Sequence, residues 1–349
     1  MSDIAQQGGA VGTGSPPQPR GGSGQAGGAL RSAGRVLLRQ RESTVFVVAV
    51  ALFVYFALES SSFVTSTNLP ILFTQDSAPY IIIALGEVFL LICGEIDLSV
   101  GFTFTLAPYL MYFLNTYDHV PGLLAIALSL VMGLVVGWIN GFLTVTVGLP
   151  SFITTLGTGF VLLGIVNTTS HGEPASIPAG MAGDVHWLGG NWAPFIWAAA
   201  LTAVMHLVLT RTRWGLHTIS VGGNLLGARE AGIDVNRIKY GNFMLTGLLG
   251  ALVGLQNAFV TNSIDPTAGG YQPMFYAVTA AVIGGTAMLG GTGTVIGAFL
   301  GALVIGMLTD GFTILGVSAN PLDIIFGAAV LIAMIANVQL ARIRERGSE

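Results

Sequence analysis

Charge is scarce in this chain. Asp, Glu, Lys and Arg together make up 9% of its 349 residues, and Lys239 is its only lysine. A P-loop requires a glycine-rich loop followed by Lys and then Ser or Thr, so NRIKYGN around Lys239 excludes ATP hydrolysis by that route. A single cysteine, Cys93, excludes an internal disulfide and reads as apolar packing. The five histidines (His119, His171, His186, His206 and His217) lack the paired spacing of a zinc site. No Gly-x-Ser-x-Gly or Cys–His nucleophile pattern occurs, so the expected chain has no catalytic residue, no metal and no cofactor of its own. A formal charge of −4 gives no sign of a nucleic-acid partner.

Apolar side chains fill the space that charge leaves. They are 52% of the residues and arrive in blocks of roughly 17 to 23, about the length that crosses a ~30 Å hydrocarbon core. The sequence therefore predicts an all-α polytopic membrane protein in contact with lipid. Its 49 glycines suit helices that must approach closely without a hydrophobic drive between them. Residues 1–34, with GTGSPPQPRGGSGQAGG, lack the large apolar side chains needed to fold and predict a disordered tail. Arg35, Arg39 and Arg41 precede an apolar run from Thr44 to Leu58, as in a signal peptide. The long tail and the lack of a clean small-x-small site favour an uncleaved first span instead.

Basic residues fall in three clusters: Arg20 to Arg41, Arg211 to Lys239, and Arg342 to Arg346. If all three are cytoplasmic, the spans between them must be even in number. Apolar stretches near 44–60, 70–93, 98–116, 121–143, 150–168 and 192–210 give six, and those near 240–262, 271–289, 291–309 and 321–340 give four. The expectation is ten spans in a membrane domain at 44–340, a cytoplasmic loop at 211–239, and both termini inside, with 341–349 a cytoplasmic tail. LGGTG at 289–293 allows only a tight turn or a broken helix. The longest outward loop is expected at Thr169 to Asn191.

Within the 211–239 loop, Gly222 and Gly223 break the chain and Asn224 can cap a short helix of about two turns, Leu225 to Ala231, with Gly232 as its left-handed terminator. Ala228, Arg229, Glu230 and Ala231 ride on this helix, which is shaped for another protein's groove. A plain connecting loop is the alternative. A second unusual stretch is LICGEIDLSVGFT at 91–103, where Glu95 and Asp97 follow an apolar run. Asp97 or Ser99 can cap the next span, where the helix dipole favours a carboxylate. Asp97 is read as a structural cap near a pathway, or alternatively as a ligand. Glu87, mid-span in IALGEVFLL, must be neutral, paired or turned to a pathway. Asn140, Asn167, Gln256, Asn257 and Asn262 could offer hydrogen bonds to a polar solute or between helices. Trp138, Phe152, Trp192 and Trp197 read as span or interface-belt residues.

CGEIDLSVG at 93–101, VGGN followed by GAREAGIDV at 221–235, and VIGGTAMLGGTGTVIGAFLGALVIG at 282–306 together resemble the permease subunit of bacterial ribose-type sugar ABC importers, a family related to branched-chain amino acid permeases. The likeness runs from about residue 45 to 340. It implies a translocation pathway for a monosaccharide or related polyol in the bacterial cytoplasmic membrane, with ATP used by a separate ATPase subunit. An extracytoplasmic sugar-binding protein and a second permease chain, identical or not, are further implied partners. Asn224 to Gly232 then resembles a coupling helix, with Gly227-Ala228 where the family usually has two alanines. Glu95 stands where much of the family has Gly, which makes it a candidate for selectivity. An ion-coupled secondary carrier, with Glu87 and Asp97 as a proton relay, is the rival from another class, and a passive channel a third.

Overall fold

The computed structural model describes residues 41–181, 186–317, 324–328, 331–332 and 335. The expected tails at 1–34 and 341–349, and most of the last expected span at 321–340, lie outside the described residues. The described chain is helical, with one pair of two-residue strands. In order it runs α1 (Arg41–Glu59), α2 (Asn68–Thr74), α3 (Ala78–Ile92), α4 (Val100–Thr116) and α5 (Gly122–Gly141) with a π-helical extension Phe142–Thr146. There follow α6 (Ser151–Ser170), β1 (Ala175–Ser176), α7 (His186–Gly189), α8 (Ala193–Arg211), α9 (Arg213–Gly223) and α10 (Leu225–Glu230). The last are α11 (Val235–Thr261), β2 (Ser263–Ile264), α12 (Tyr271–Ile283) and α13 (Val295–Ile314).

Seven helical segments among the described residues are long and apolar enough to cross a membrane: Glu42–Glu59, Asn68–Ile92, Gly122–Thr146, Ser151–Ser170, Ala193–Arg211, Val235–Thr261 and Val295–Ile314. Two more helices occupy expected span positions but are shorter. With 17 residues, α4 covers about 25 Å at 1.5 Å per residue, and the 13 residues of α12 cover about 20 Å. The glycine-rich stretch 284–294 ends α12 early. There the Gly291 N–H donates to the Ile92 carbonyl at 2.8 Å, which fastens the loop to the end of α3.

At the centre lies α3. Ile81 to Leu90 are all inaccessible, the pattern of a helix apolar on every side, and it packs against α8, α11, α12 and α13. Helices α5 and α11 cross closely. A methyl group added at Gly133 would lie 2.5 Å from the Gly247 carbonyl oxygen, so the backbones touch only because both positions are glycine. On the opposite flank α1 packs on α13, where Phe56 meets Phe63 and Phe312 with ring centroids 5.4 Å apart in each pair.

The described part of the expected long outward loop packs against the bundle. Ala175 and Ser176 pair antiparallel with Ile264 and Ser263, the Tyr109 hydroxyl reaches the Glu173 carbonyl at 2.8 Å, and Ile177 and Met181 join a core with α4, α5 and α11. The opposite end of the bundle gathers the C-terminus of α3, the 93–99 turn, α9, α10 and the 284–294 loop. These two ends frame the site.

Candidate functional site

The 93–99 turn is built around Asp97. Its Oδ1 accepts from the Ser99 N–H at 2.8 Å and from the Ser99 hydroxyl at 2.6 Å. The carboxylate thus bonds Ser99, the residue just before α4, whereas Ser99, expected as an alternative cap, makes no side-chain capping bond of its own. Asn140, at the end of α5, donates from Nδ2 to Ser99 Oγ at 2.8 Å and to Asp97 Oδ2 at 3.2 Å. Glu87 Oε2 weakly accepts the Asp97 N–H at 3.5 Å. All four side chains are fully enclosed. Two acceptors of the cluster, Glu87 Oε1 and Asn140 Oδ1, have no hydrogen-bond partner among the described residues. The Asp97 carboxylate therefore ties the start of α4 to α5, the Glu87 carboxylate ties the turn to α3 through the Asp97 N–H, and the Ile96 N–H adds α6 by donating to Ser151 Oγ at 3.4 Å.

Glu95, two residues away, behaves differently. It forms an ion pair with Lys239 near the start of α11, and it lines a cavity of about 820 Å³. That cavity is bounded by the 93–99 turn, by α12 and by Phe326 and Leu331, and most of its lining is apolar. Gln272, Thr279 and Glu95 supply polar groups to its wall. Of the four acidic-turn and mid-span candidates, Glu95 reaches the wall of this cavity. Glu87, Asp97 and Ser99 are sealed behind it. The Glu95–Lys239 pair was not anticipated, although a lone lysine in an apolar chain demands a partner.

A second cavity of about 300 Å³ lies toward the strand-pair end, lined by Phe102, Thr105, Asn167, Thr267 and Tyr271 among others. Of the asparagines and glutamine named as hydrogen-bonding candidates, Asn167 faces this cavity and Asn140 belongs to the Asp97 network. Gln256 and Asn257 border a narrow cleft with Gln75. Asn262 ends α11 in the left-handed conformation. Phe152, expected as a span or belt aromatic, lines the larger cavity.

The short helix in the 211–239 loop forms as Leu225–Glu230. Asn224 Oδ1 accepts the Gly227 N–H at 2.8 Å, and Gly232 at φ +80 closes the other end with the Ile233 N–H donating to the Ala228 carbonyl at 3.0 Å. Ala228 points into the chain, where it packs with Cys93, Val221, Val235 and Ile238. Leu225 and Leu226 point out, the latter 68% exposed, and Arg229, Glu230, Ala231 and Gly232 are exposed with them. Ala228 is thus the anchor of the helix, and its neighbours form the presented face. Beneath it, Asn242 on α11 donates to the Phe89 carbonyl at 3.2 Å and accepts from Trp214 Nε1 at 2.9 Å, so α3, α9 and α11 are joined directly under α10. A further buried polar contact, Asn68 Nδ2 to Asp310 Oδ2 at 2.8 Å, links α2 to α13 and had no sequence signal beyond an acidic residue inside an apolar run.

Comparison with known proteins agrees with this arrangement. Residues 70–335 match the family described as branched-chain amino acid transport system / permease component. The xylose/arabinose import permease protein XylH of Sulfolobus acidocaldarius is 35% identical over 316 residues, covering 88% of this chain and 87% of the relative. The ribose import permease protein RbsC of Escherichia coli is 30% identical over 308 residues, covering 86% of this chain and 94% of the relative. The D-allose transport system permease protein AlsC of Escherichia coli is 30% identical over 304 residues, covering 85% and 91%. No solved structure matches at comparable stringency. The chain therefore belongs to this permease family, as a multi-pass transport protein of the plasma membrane rather than an enzyme.

Proposed function

We propose that the chain forms the membrane pathway of an ABC importer that carries a monosaccharide or related polyol inward. A separate ATPase subunit powers it, an extracytoplasmic binding protein feeds it, and a second permease chain completes it. The observation that carries this reading is α10. A six-residue helix capped at both ends, anchored by Ala228 and presenting Leu225 and Leu226 outward, is suited to packing against a partner. Pentose, ribose and allose relatives support a sugar as cargo. Ten spans with both termini cytoplasmic remain the topology that the three basic clusters favour, since it puts α9 and α10 inside and the strand pair outside. In this reading Glu95 stands on the pathway wall, and Asp97, Ser99 and Glu87 hold the turn that carries it.

Uptake of labelled pentoses and hexoses by cells producing the complete importer tests the proposal. Accumulation should persist in an uncoupler, stop when ATP is depleted, and survive Glu87→Gln, which preserves shape and hydrogen bonding. An ion-coupled carrier predicts the reverse: collapse with the uncoupler and loss of uptake in Glu87→Gln.

A further inference from the structure

The two cavities share one residue. Tyr271 lines both the larger chamber beside Glu95 and the smaller one at the strand-pair end. It is the first residue of α12, and its ring is held by aromatic neighbours from two other helices. Phe102 on α4 stands edge-on with centroids 4.9 Å apart, and Phe160 on α6 lies at 6.2 Å. Its backbone is fixed as tightly. Gly270 turns the chain at φ +89, a conformation that side chains disfavour, and its N–H donates to the Gly101 carbonyl at 2.9 Å. The tyrosine ring is thus clamped between two spaces of about 300 and 820 Å³, both within the ~300–1,000 Å³ range of small-molecule sites.

Both chambers have the chemistry of a polyhydroxylated solute. The smaller offers Thr105, Asn167 and Thr267 beside Phe102 and Tyr271, and the larger offers Gln272, Thr279 and Glu95 on an apolar wall. Hydroxyl and amide groups beside aromatic surface match a sugar ring, which carries hydrogen-bonding groups at its edge and C–H groups on its faces. We propose that the smaller cavity is an outer holding site for the sugar and that Tyr271 is the barrier separating it from the larger, inner cavity. The proposal rests on the importer reading for its direction and its ligand, and on the shared lining residue for its geometry.

The test uses the chain's single cysteine to advantage, because Cys93 is buried and gives a low labelling background. Asn167→Cys reports the outer chamber. Thr279→Cys reports the inner one, eight residues and roughly 12 Å further along α12. Intact cells carrying the complete importer are treated from outside with a membrane-impermeant methanethiosulfonate, with the parent chain as control. Asn167→Cys should react whether residue 271 is Tyr or Ala. Thr279→Cys should stay at the background level with Tyr271 or Tyr271→Phe, and should rise to the level of Asn167→Cys with Tyr271→Ala. If Tyr271→Ala reaches the membrane poorly, Tyr271→Val carries the same expectation. Thr279→Cys reactivity that is the same with and without the ring, either high or absent, overturns the barrier. Because the readout needs neither ATP nor sugar, that failure leaves the uptake assay of the importer reading standing, and failure of the uptake assay leaves the labelling result legible.

Discussion

At the residue scale, Asp97 carries the largest structural burden. Its carboxylate holds the Ser99 N–H, the Ser99 hydroxyl and the Asn140 amide, all enclosed. Stranding a buried polar group costs about 1–3 kcal/mol. Asp97→Ala strands several, so the amount of folded protein in the membrane should fall well below that of the parent chain, as read by in-membrane fluorescence of a fused reporter. A normal amount with altered sugar preference would instead make Asp97 a ligand. Glu95 and Lys239 answer to a different experiment. Their pair is mostly buried, with side chains 12% and 16% exposed, so losing either partner should cost between the ~1 kcal/mol ceiling of an exposed pair and the ~3 kcal/mol floor of a fully buried one. Glu95→Gln and Lys239→Gln should each lower the thermal midpoint of the detergent-purified protein, and the swapped double variant Glu95→Lys with Lys239→Glu should recover most of the loss. A double variant no better than the worse single change would show that the pair contributes nothing as a pair.

At the scale of the element, α10 was legible because every part of it is local. Asn224 two turns before Gly232, after a Gly-Gly break, encodes both caps within nine residues, and both form. Which side of the helix faces in was not legible, since Ala228 and Ala231 are chemically identical and only the fold decides that Ala228 packs on Val221 and Ile238. The long apolar helices were likewise readable, because a run of about 20 apolar residues has few soluble alternatives. The early end of α12 was not anticipated, although its stop signal is local. Gly285 at φ +92 is a left-handed terminator, with the Thr286 N–H donating to the Ala281 carbonyl at 3.0 Å, and only the fastening of Gly291 to the Ile92 carbonyl depends on a residue some 200 positions away. The acidic turn was half readable: a carboxylate two residues before Ser99 announces a local side-chain-to-backbone bond, which forms to Ser99, but its Asn140 clamp and the Glu95–Lys239 pair depend on distant helices meeting. Sidedness is tested element by element. A reporter fused after Ser176 should read extracytoplasmic and one fused after Asn224 cytoplasmic. An inside signal at Ser176 contradicts the ten-span topology.

At the scale of the whole molecule, the parts converge on one end of the bundle. On its inner side α10 packs Ala228 with Cys93, Cys93 takes the Asn242 amide at 3.2 Å, and two residues further on Glu95 pairs with Lys239 and lines the larger cavity. In the importer reading proposed above, a partner bound on α10 acts on the cavity wall through this short route. The claim is tested most directly by altering the presented face alone. Ala231 is exposed next to Gly232, whose φ of +80 a β-branched residue would strain. Few interior contacts depend on either residue. Ala231→Glu and Gly232→Val should therefore reach the membrane in normal amount while the ATPase co-purifies poorly and uptake falls, because one central interface residue can cost ~2 kcal/mol or more, roughly 30-fold in association. Full retention of the ATPase and normal accumulation of sugar in both variants would contradict the account and reduce residues 224–232 to a connecting loop.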